Sequence, residues 1–334
     1  MTLSPQQLQA LLVLATEAAS KAGQYIAAFD RSQLLVDHKA AGNSLSSQVV
    51  TQVDLDSQAI ILDVLAPSIE QYDIAVLSEE NASEENVSDH SRFQKAYFWC
   101  IDPLDGTLPF IEGSDGFAVS IALVEQSGKP VIGVVHNPVT GDTYQAINFQ
   151  AILSQASEPE VVSHKLAPYS ETAKVLKNGL PWQPKMQSDT FTLYIDRSFE
   201  NDPYYVPCIE MLETFVRQQG YSKLNVVNTC GAVMNAIGVL ENAPACYLKL
   251  PKVKKGGGSL WDFAATAAIT QACLFSHIHA QTQSPTRVWV SDSHGAPLDL
   301  NRLDSNFMNH KGALYVSGAE HEALLRGVSG LIDN

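Results

Sequence analysis

Apolar residues recur at three- and four-residue intervals near the start of the chain: Leu8, Leu11, Leu12, Ala15, Ala19, Ala22 and Ile26. Such spacing lines one face of a helix. It predicts an amphipathic helix running to about Phe29, with Ser4 as N-cap and Pro5 as first helical residue. A second helical pattern begins near Gln52 and is expected to end before Pro67, because proline lacks the N–H that a helix interior needs. The run from Ala75 starts as a short strand and becomes an acidic loop. The apolar run from Tyr97 to Ile101 predicts a strand that Pro103 terminates. Phe117–Glu125 and Pro130–Pro138 read as two strands joined by a hairpin turn at Gln126–Lys129, and Thr143–Ile147 as another. Lys39–Gln48 and Ser154–Glu160 read as loops, the latter a crossing between two halves. Beyond it, strands at Thr192, Lys223, Ala245, Arg287 and Ala313 alternate with helices near Tyr204–Gln219, Gly231–Leu240 and Leu260–Gln271. That mixture predicts layered α and β structure rather than a purely parallel sheet.

Bulk properties narrow the classes. A chain of 334 residues that is 45% hydrophobic can bury a large core. Its length suggests two domains or two fused lobes. No apolar run approaches the roughly 18 residues of a membrane span. The N-terminal segment has no basic start, its first cation being Lys21, so it reads as part of the fold rather than a leader. The five cysteines, at 100, 208, 230, 246 and 273, form no CxxC pair. They suggest neither a zinc site nor a disulfide framework, and fit a reducing, cytoplasmic setting. The nine histidines form no ligand pattern; His277 and His279, two apart on an expected strand, read as structural. A net charge of −15 argues against nucleic-acid binding. Much of it serves solubility. An anionic ligand would be repelled unless bound cations reverse the local field.

The densest chemical signal is Asp102-Pro103-Leu104-Asp105-Gly106-Thr107, placed after a buried strand. The strand delivers Asp102 at its carboxyl end, the chain turns, and Asp105 returns toward the same point. Two carboxylates so placed can grip a hard cation such as magnesium. Gly106-Thr107 then opens a short helix, whose first N–H groups can bind phosphate. Asp-Gly alone would mean only a turn; the whole string carries the functional reading.

The segment Trp99–Phe110, WCIDPLDGTLPF, resembles the metal-binding signature of the inositol monophosphatase superfamily. That group includes inositol monophosphatases, 3′(2′),5′-bisphosphate nucleotidases and fructose-1,6-bisphosphatases. Three more segments match in order: Thr51-Gln52-Val53-Asp54, the pair Glu79-Glu80, and Trp261-Asp262-Phe263-Ala264-Ala265. The resemblance spans about residues 10 to 320. It implies an α/β fold of the layered α/β/α/β/α sandwich type. Residues 1–155 would form a lobe with most metal ligands, and 156–334 a lobe with Asp262 and the substrate pocket. It further implies two or three Mg2+ per site. Glu79, Asp102 and the Leu104 carbonyl would bind one ion; Asp102, Asp105 and Asp262 a second; Glu79 would help a third through water. Thr107, buttressed by Asp54, would orient the attacking water, and the Gly106 and Thr107 amides would hold the phosphate. The implied activity is lithium-sensitive hydrolysis of a phosphomonoester on a small metabolite, with a homodimer compatible.

The chain departs from the family pattern at Leu108-Pro109, where relatives often carry polar residues, so specificity is open there. Gly231 fits a pocket turn that relatives share, although its neighbours do not. In the loop Lys249–Lys255, Lys252, Lys254 and Lys255 are the densest cations, and Gly256-Gly257-Gly258 follows. These three lysines would hold a second phosphate, or else form a solvated loop. The segments Asp102–Gly106 and Phe117–Pro138 lean toward a bisphosphate nucleotide as substrate, with inositol monophosphate close behind. The alternatives are a sugar-phosphate phosphatase and a non-catalytic binder of phosphorylated metabolites on the same scaffold.

Overall fold

A computed structural model describes residues 2–33, 36–38, 49–82, 86–149, 175–252, 258–279, 286–308 and 310–332. Its strands are β1 (Val36–His38), β2 (Val49–Thr51), β3 (Ala75–Ser78), β4 (Tyr97–Asp105), β5 (Ala118–Glu125), β6 (Pro130–His136) and β7 (Thr143–Ile147). There follow β8 (Leu176–Lys177), β9 (Leu180–Pro181), β10 (Thr190–Tyr194), β11 (Lys223–Val227), β12 (Ala245–Lys249), β13 (Val288–Ser291) and β14 (Ala313–Ser317). The helices are α1 (Pro5–Ala28), α2 (Gln52–Tyr72), α3 (Thr107–Glu112), α4 (Tyr205–Gln219), α5 (Ala232–Glu241), α6 (Leu260–His279) and α7 (His321–Ile332).

A seven-stranded sheet runs β3-β4-β5-β6-β7-β8-β9, and a five-stranded sheet runs β11-β10-β12-β14-β13. Period-two alternation explains how they stack. In β4, Tyr97, Trp99 and Ile101 pack with α1 and α2, while Phe98 and Cys100 point the other way, into the core that holds α5 and α6. In the smaller sheet, Tyr194, Tyr247 and Tyr315 face that same central core. Leu193, Cys246, Leu248 and Leu314 face α4 and α7. The result is the expected five-layer α/β/α/β/α sandwich, with α5 and α6 between the sheets. Among the described residues no helix is long and apolar enough to cross a membrane.

Several expectations hold and several are corrected. Ser4 caps α1 in a reciprocal capping box with Gln7, and Pro5 occupies the first turn. Helix α2 does not stop before Pro67 but runs through it to Tyr72. Pro67 and Asp63, whose carbonyl loses its partner, both lie on the exposed face. On the inner face Leu65 and Ser68 are buried, and Ser68 Oγ accepts a hydrogen bond from Trp99 Nε1 at 3.0 Å. Tertiary packing thus overrides the breaker. His277 and His279 end helix α6, not a strand. The sequence reading missed helix α7, although Leu324, Leu325, Val328, Leu331 and Ile332 recur at helical spacing, and the two-residue strands β8 and β9 are too short to read. The crossing expected at Ser154–Glu160, the lobe boundary near 155 and the Lys39–Gln48 loop lie outside the described residues.

Candidate active site

Strand β4 also corrects the reading of Pro103. The strand does not end there: Asp102 pairs with Ser120 and pairing resumes at Asp105 with Ala118. Three steps on β4 oppose two on β5, so one residue is extra, and the ladder bulges where the proline cannot donate. In an unbroken strand residues three apart face opposite sides. The extra residue cancels that half-turn and brings Asp102 and Asp105 to one side. The Leu104 N–H closes the corner onto Asp102 Oδ1 at 3.0 Å. Gly106 then takes a left-handed conformation (φ +86°) as N-cap of the six-residue α3.

Helix α2 holds this corner with polar residues on its buried face. Asp54, Ser57 and Gln58 lie at the i, i+3, i+4 spacing of one stripe and are all buried. Thr107 Oγ1 donates to Asp54 Oδ1 at 3.1 Å, and Ser57 Oγ donates to the Pro103 carbonyl at 2.8 Å. Ser78 Oγ donates to Gln58. That last bond ties the end of β3 to α2 just before Glu79. Because β3 and β4 are parallel, with Ser78 opposite Ile101, Glu79 emerges beside Asp102.

Helix α6 brings the remaining carboxylate. Asp262, in its first turn, accepts the Ser259 N–H at 2.9 Å, and Ser120 Oγ holds the Trp261 carbonyl at 3.2 Å. Asp102, Asp105 and Asp262 each offer an oxygen such that all lie within 4.8 Å of one another. Burial and the charge of Asp262 push the Asp105 carboxyl well above its ordinary value, while the Val233 N–H works against that rise. Burial likewise raises Asp262; Lys249 opposes the rise and Glu79 adds to it. Crowding the carboxylates in a dry corner perturbs them, and a bound cation would relieve it. Three carboxylates, Asp102 and Asp105 buried and Asp262 half-buried, fit a hard divalent ion.

Asp105 has a second task. Its two oxygens accept the Ala232 and Val233 N–H groups at the start of α5, at 3.2 and 2.9 Å. Gly231 makes that approach possible, since a Cβ there would lie 2.4 Å from Asp105 Oδ2 and 2.8 Å from Gly106 Cα. The glycine signal in the sequence therefore marks close packing on the corner as well as a place in the cavity wall.

Glu79, Asp102, Leu104, Asp105, Gly106, Thr107, Gly231 and Asp262 all line one cavity of about 320 Å³, with Pro109 at its edge. Asp54 stands behind Thr107. Lys252 does not line the cavity, although its charge acts on Asp196; Lys254 and Lys255 lie outside the described residues. Among the described residues two cations do line it, Arg197 and Lys249; the sequence reading took Lys249 only as the first residue of the Lys249–Lys255 loop, and the structure places it at the end of β12. Strands β10 and β12 are parallel, with Tyr194 opposite Tyr247, so their carboxyl ends deliver Asp196 and Lys249 together. Lys249 Nζ lies 2.5 Å from Asp196 Oδ2, and the Tyr247 hydroxyl donates to Asp196 Oδ1 at 2.7 Å. Burial favours the neutral acid, but Lys249 and Tyr247 outweigh it and hold Asp196 below its usual range. The only hint in the sequence was a charged residue at each strand's carboxyl end, where ligands of such sheets gather.

A layered sandwich with an acidic corner at the ends of its parallel strands defines a class, and the sequence profile of the Inositol monophosphatase family matches residues 7–302. The chain belongs to that family. Among its relatives, the 3′(2′),5′-bisphosphate nucleotidase CysQ of Haemophilus influenzae is 28% identical over 311 residues, covering 93% of each chain. The Nus factor SuhB of Salmonella typhimurium is 31% identical over 194 residues. That match covers 57% of this chain and 65% of SuhB, less than two thirds of the relative's length. In three dimensions the chain is similar to an inositol monophosphatase from Anabaena (Nostoc), with a TM-score of 0.60 at 18% identity, covering 97% and 96% of the two chains.

Proposed function

We propose that this chain is a magnesium-dependent phosphomonoesterase acting on a small, anionic, phosphorylated metabolite. The meeting of Asp102, Asp105 and Asp262 within 4.8 Å carries the reading. Glu79, Asp102 and the Leu104 carbonyl would hold one ion and Asp102, Asp105 and Asp262 another, with Glu79 helping a third through water. Bound divalent cations would supply Lewis-acid charge at the phosphate and at the leaving oxygen. The chain's own groups do the positioning. Thr107, fixed by its bond to Asp54, orients the attacking water. The Gly106 and Thr107 amides receive the phosphate oxygens at the start of α3.

The CysQ relative matches along 93% of the chain, which supports a 3′(2′),5′-bisphosphate nucleotide over inositol monophosphate or a sugar phosphate. A non-catalytic binding role draws on the relatives named Nus factor SuhB. A binder has no need of Thr107 held by a buried acid beside three further carboxylates. Phosphate release from a panel of phosphorylated metabolites, with and without a chelator, tests the proposal. Release should require magnesium and be inhibited by lithium. Undiminished turnover after thorough chelation overturns the metal mechanism, and no release from any ester favours the binder.

A further inference from the structure

Arg92 is a cation closed off from solvent. It sits in the single turn Ser91–Phe93, on the stretch of chain that leads from Glu79 into β4. Its guanidinium lies over the Phe93 ring, 4.5 Å from the centroid, and its charge is felt at Cys100, two residues before Asp102. The fork reaches into one distant segment. Nε donates to Asn301 Oδ1 at 3.0 Å, Nη1 to Asn306 Oδ1 at 2.8 Å and Nη2 to the Arg302 carbonyl at 3.1 Å.

That segment braces the start of α6. The Asn306 carbonyl accepts the Leu260 N–H at 2.9 Å, and the Gly258 carbonyl accepts the Met308 N–H at 2.9 Å. Between these bonds Ser259 and Phe307 face each other in an isolated antiparallel bridge. The Ser259 N–H in turn donates to Asp262 Oδ2 at 2.9 Å. A continuous path therefore runs from the stretch after Glu79, through Arg92 and Asn306, to the turn that carries Asp262. The charge of Glu79 pushes against Asp262, so the two carboxylates do not draw their own elements together.

Stability gives little reason to bury a guanidinium, because apolar side chains of similar volume would serve as well. Direction gives one. A planar fork fixes several acceptors at once, which a compact ammonium does not do. Groups standing behind the ligands of a metal set its affinity by holding those ligands in place.

We propose that Arg92 is a positioning residue of the metal corner, clasping the element that carries Asp262 to the one that carries Glu79 through Asn306. The carboxylates then stand ready for a cation before one arrives. This rests on the metal-dependent reading above.

The test is calorimetric titration of magnesium into the chelator-stripped full chain, which reads affinity without turnover. Arg92→Lys keeps the charge and loses the fork, and should weaken magnesium binding by about tenfold or more, the scale of losing a group behind a ligand. Asn306→Ala releases the residue whose carbonyl holds α6, and should weaken binding in the same direction. At saturating magnesium its kcat should return close to the wild-type value, because bound ions then hold the two elements together. Asn301→Ala also removes an acceptor from Arg92, but Asn301 is anchored to the Gln126 carbonyl at 2.7 Å, in a turn outside the cavity lining. It should leave magnesium affinity where it is. A merely structural role would make the two asparagine variants lose stability alike and bind magnesium as the wild type does. Unchanged affinity in Arg92→Lys and Asn306→Ala, or an equal loss in Asn301→Ala, overturns the proposal. Should Arg92→Lys fail to fold, the contrast between the two asparagines decides alone. A wild type that takes up no magnesium ends the metal reading and this proposal with it, an outcome distinct from wild-type binding that the variants share.

Discussion

The two walls of the cavity are built in opposite ways. The acidic corner comes mostly from one continuous string, Asp102 to Thr107, folded on itself by a bulge and a short helix. The cationic wall gathers Asp196, Tyr247, Lys249 and Gly258 from separate segments that meet only through the register of β10 with β12 and the loop before α6. Chemistry packed into six residues survives as a motif that can be read directly. Chemistry assembled by register leaves isolated charges with no shared spacing. The corner is also electrostatically unfinished, with carboxylates facing one another, whereas the wall is internally neutral. The corner should therefore answer to metal and the wall to substrate.

The sharpest test of that division is Asp105→Asn. The change halves the acceptor capacity that holds α5 and removes a charge from the cluster. Turnover should fall by more than about 100-fold, or about 3 kcal/mol, as when a key electrostatic contact is lost. Circular dichroism should show the fold intact. Near-normal kcat in a folded protein would end the assignment of the corner. Thr107→Val comes next. It keeps shape and loses the hydroxyl that Asp54 holds, and kcat should drop about 100-fold with KM little changed, the scale of losing a positioned proton-handling group. A pure KM effect would move Thr107 from the reacting water to substrate binding.

Legibility followed the same divide. The fold was readable because period-two apolar runs and helical stripes are local signals, and the layers follow from them. The motif string also revealed the corner, though not its cause. Pro103 reads as a strand end, and only the pairing of Asp105 with Ala118 shows the bulge that turns both carboxylates to one side. Pro67 misled for a related reason: Ser68 and Leu65 fasten α2 to the core beyond it. The polar stripe Asp54, Ser57 and Gln58 could have been found from its helical spacing beside buried Val53 and Ile61. Lys249 could not. Its meaning depends on a partner 53 positions away in the chain.

One added methyl compares the walls directly. At Gly231 a Cβ would press on Asp105, which two N–H groups hold in place, and on backbone at Gly106. Gly231→Ala should cost about 1–3 kcal/mol of stability, as overpacking does, and lower kcat about tenfold by displacing a ligand oxygen. At Gly258 the obstacle is the end of the Lys249 side chain and the Phe263 ring, but the backbone angle itself is hostile to a side chain. Gly258→Ala should cost a similar 1–3 kcal/mol through strain while moving kcat only a few-fold. Equal losses of kcat at both sites, measured beside thermal melts, would erase the distinction between a metal-holding and a substrate-holding wall.

The smallest effect is one of sign, read in the chelated protein. Asp196 lies below its ordinary value of 3.8, so its folded pKa is the lower one. Its contribution to stability is present above that value and is lost as pH falls through the folded pKa. Asp105 is raised by burial and by the charge of Asp262, and Asp262 by burial and, against Lys249, by the charge of Glu79, so their folded pKa values are the higher ones. Whatever stability they contribute below pH 3.8 is lost as pH rises through those folded values. At neutral pH the wall's carboxylate therefore stabilises the metal-free fold, and the corner's carboxylates strain it. Asp196→Asn should lower the melting temperature of the chelated protein near neutral pH, while Asp262→Asn should raise it slightly. Magnesium should then reverse the second result, because the wild type gains binding energy that the variant has given up. It should also lift the wild-type melting temperature more near neutral pH than near pH 4, where protons already quiet the corner. Shifts of the same sign for the two variants in chelator would mean the cavity behaves as one acidic surface, and the contrast between its walls would not stand.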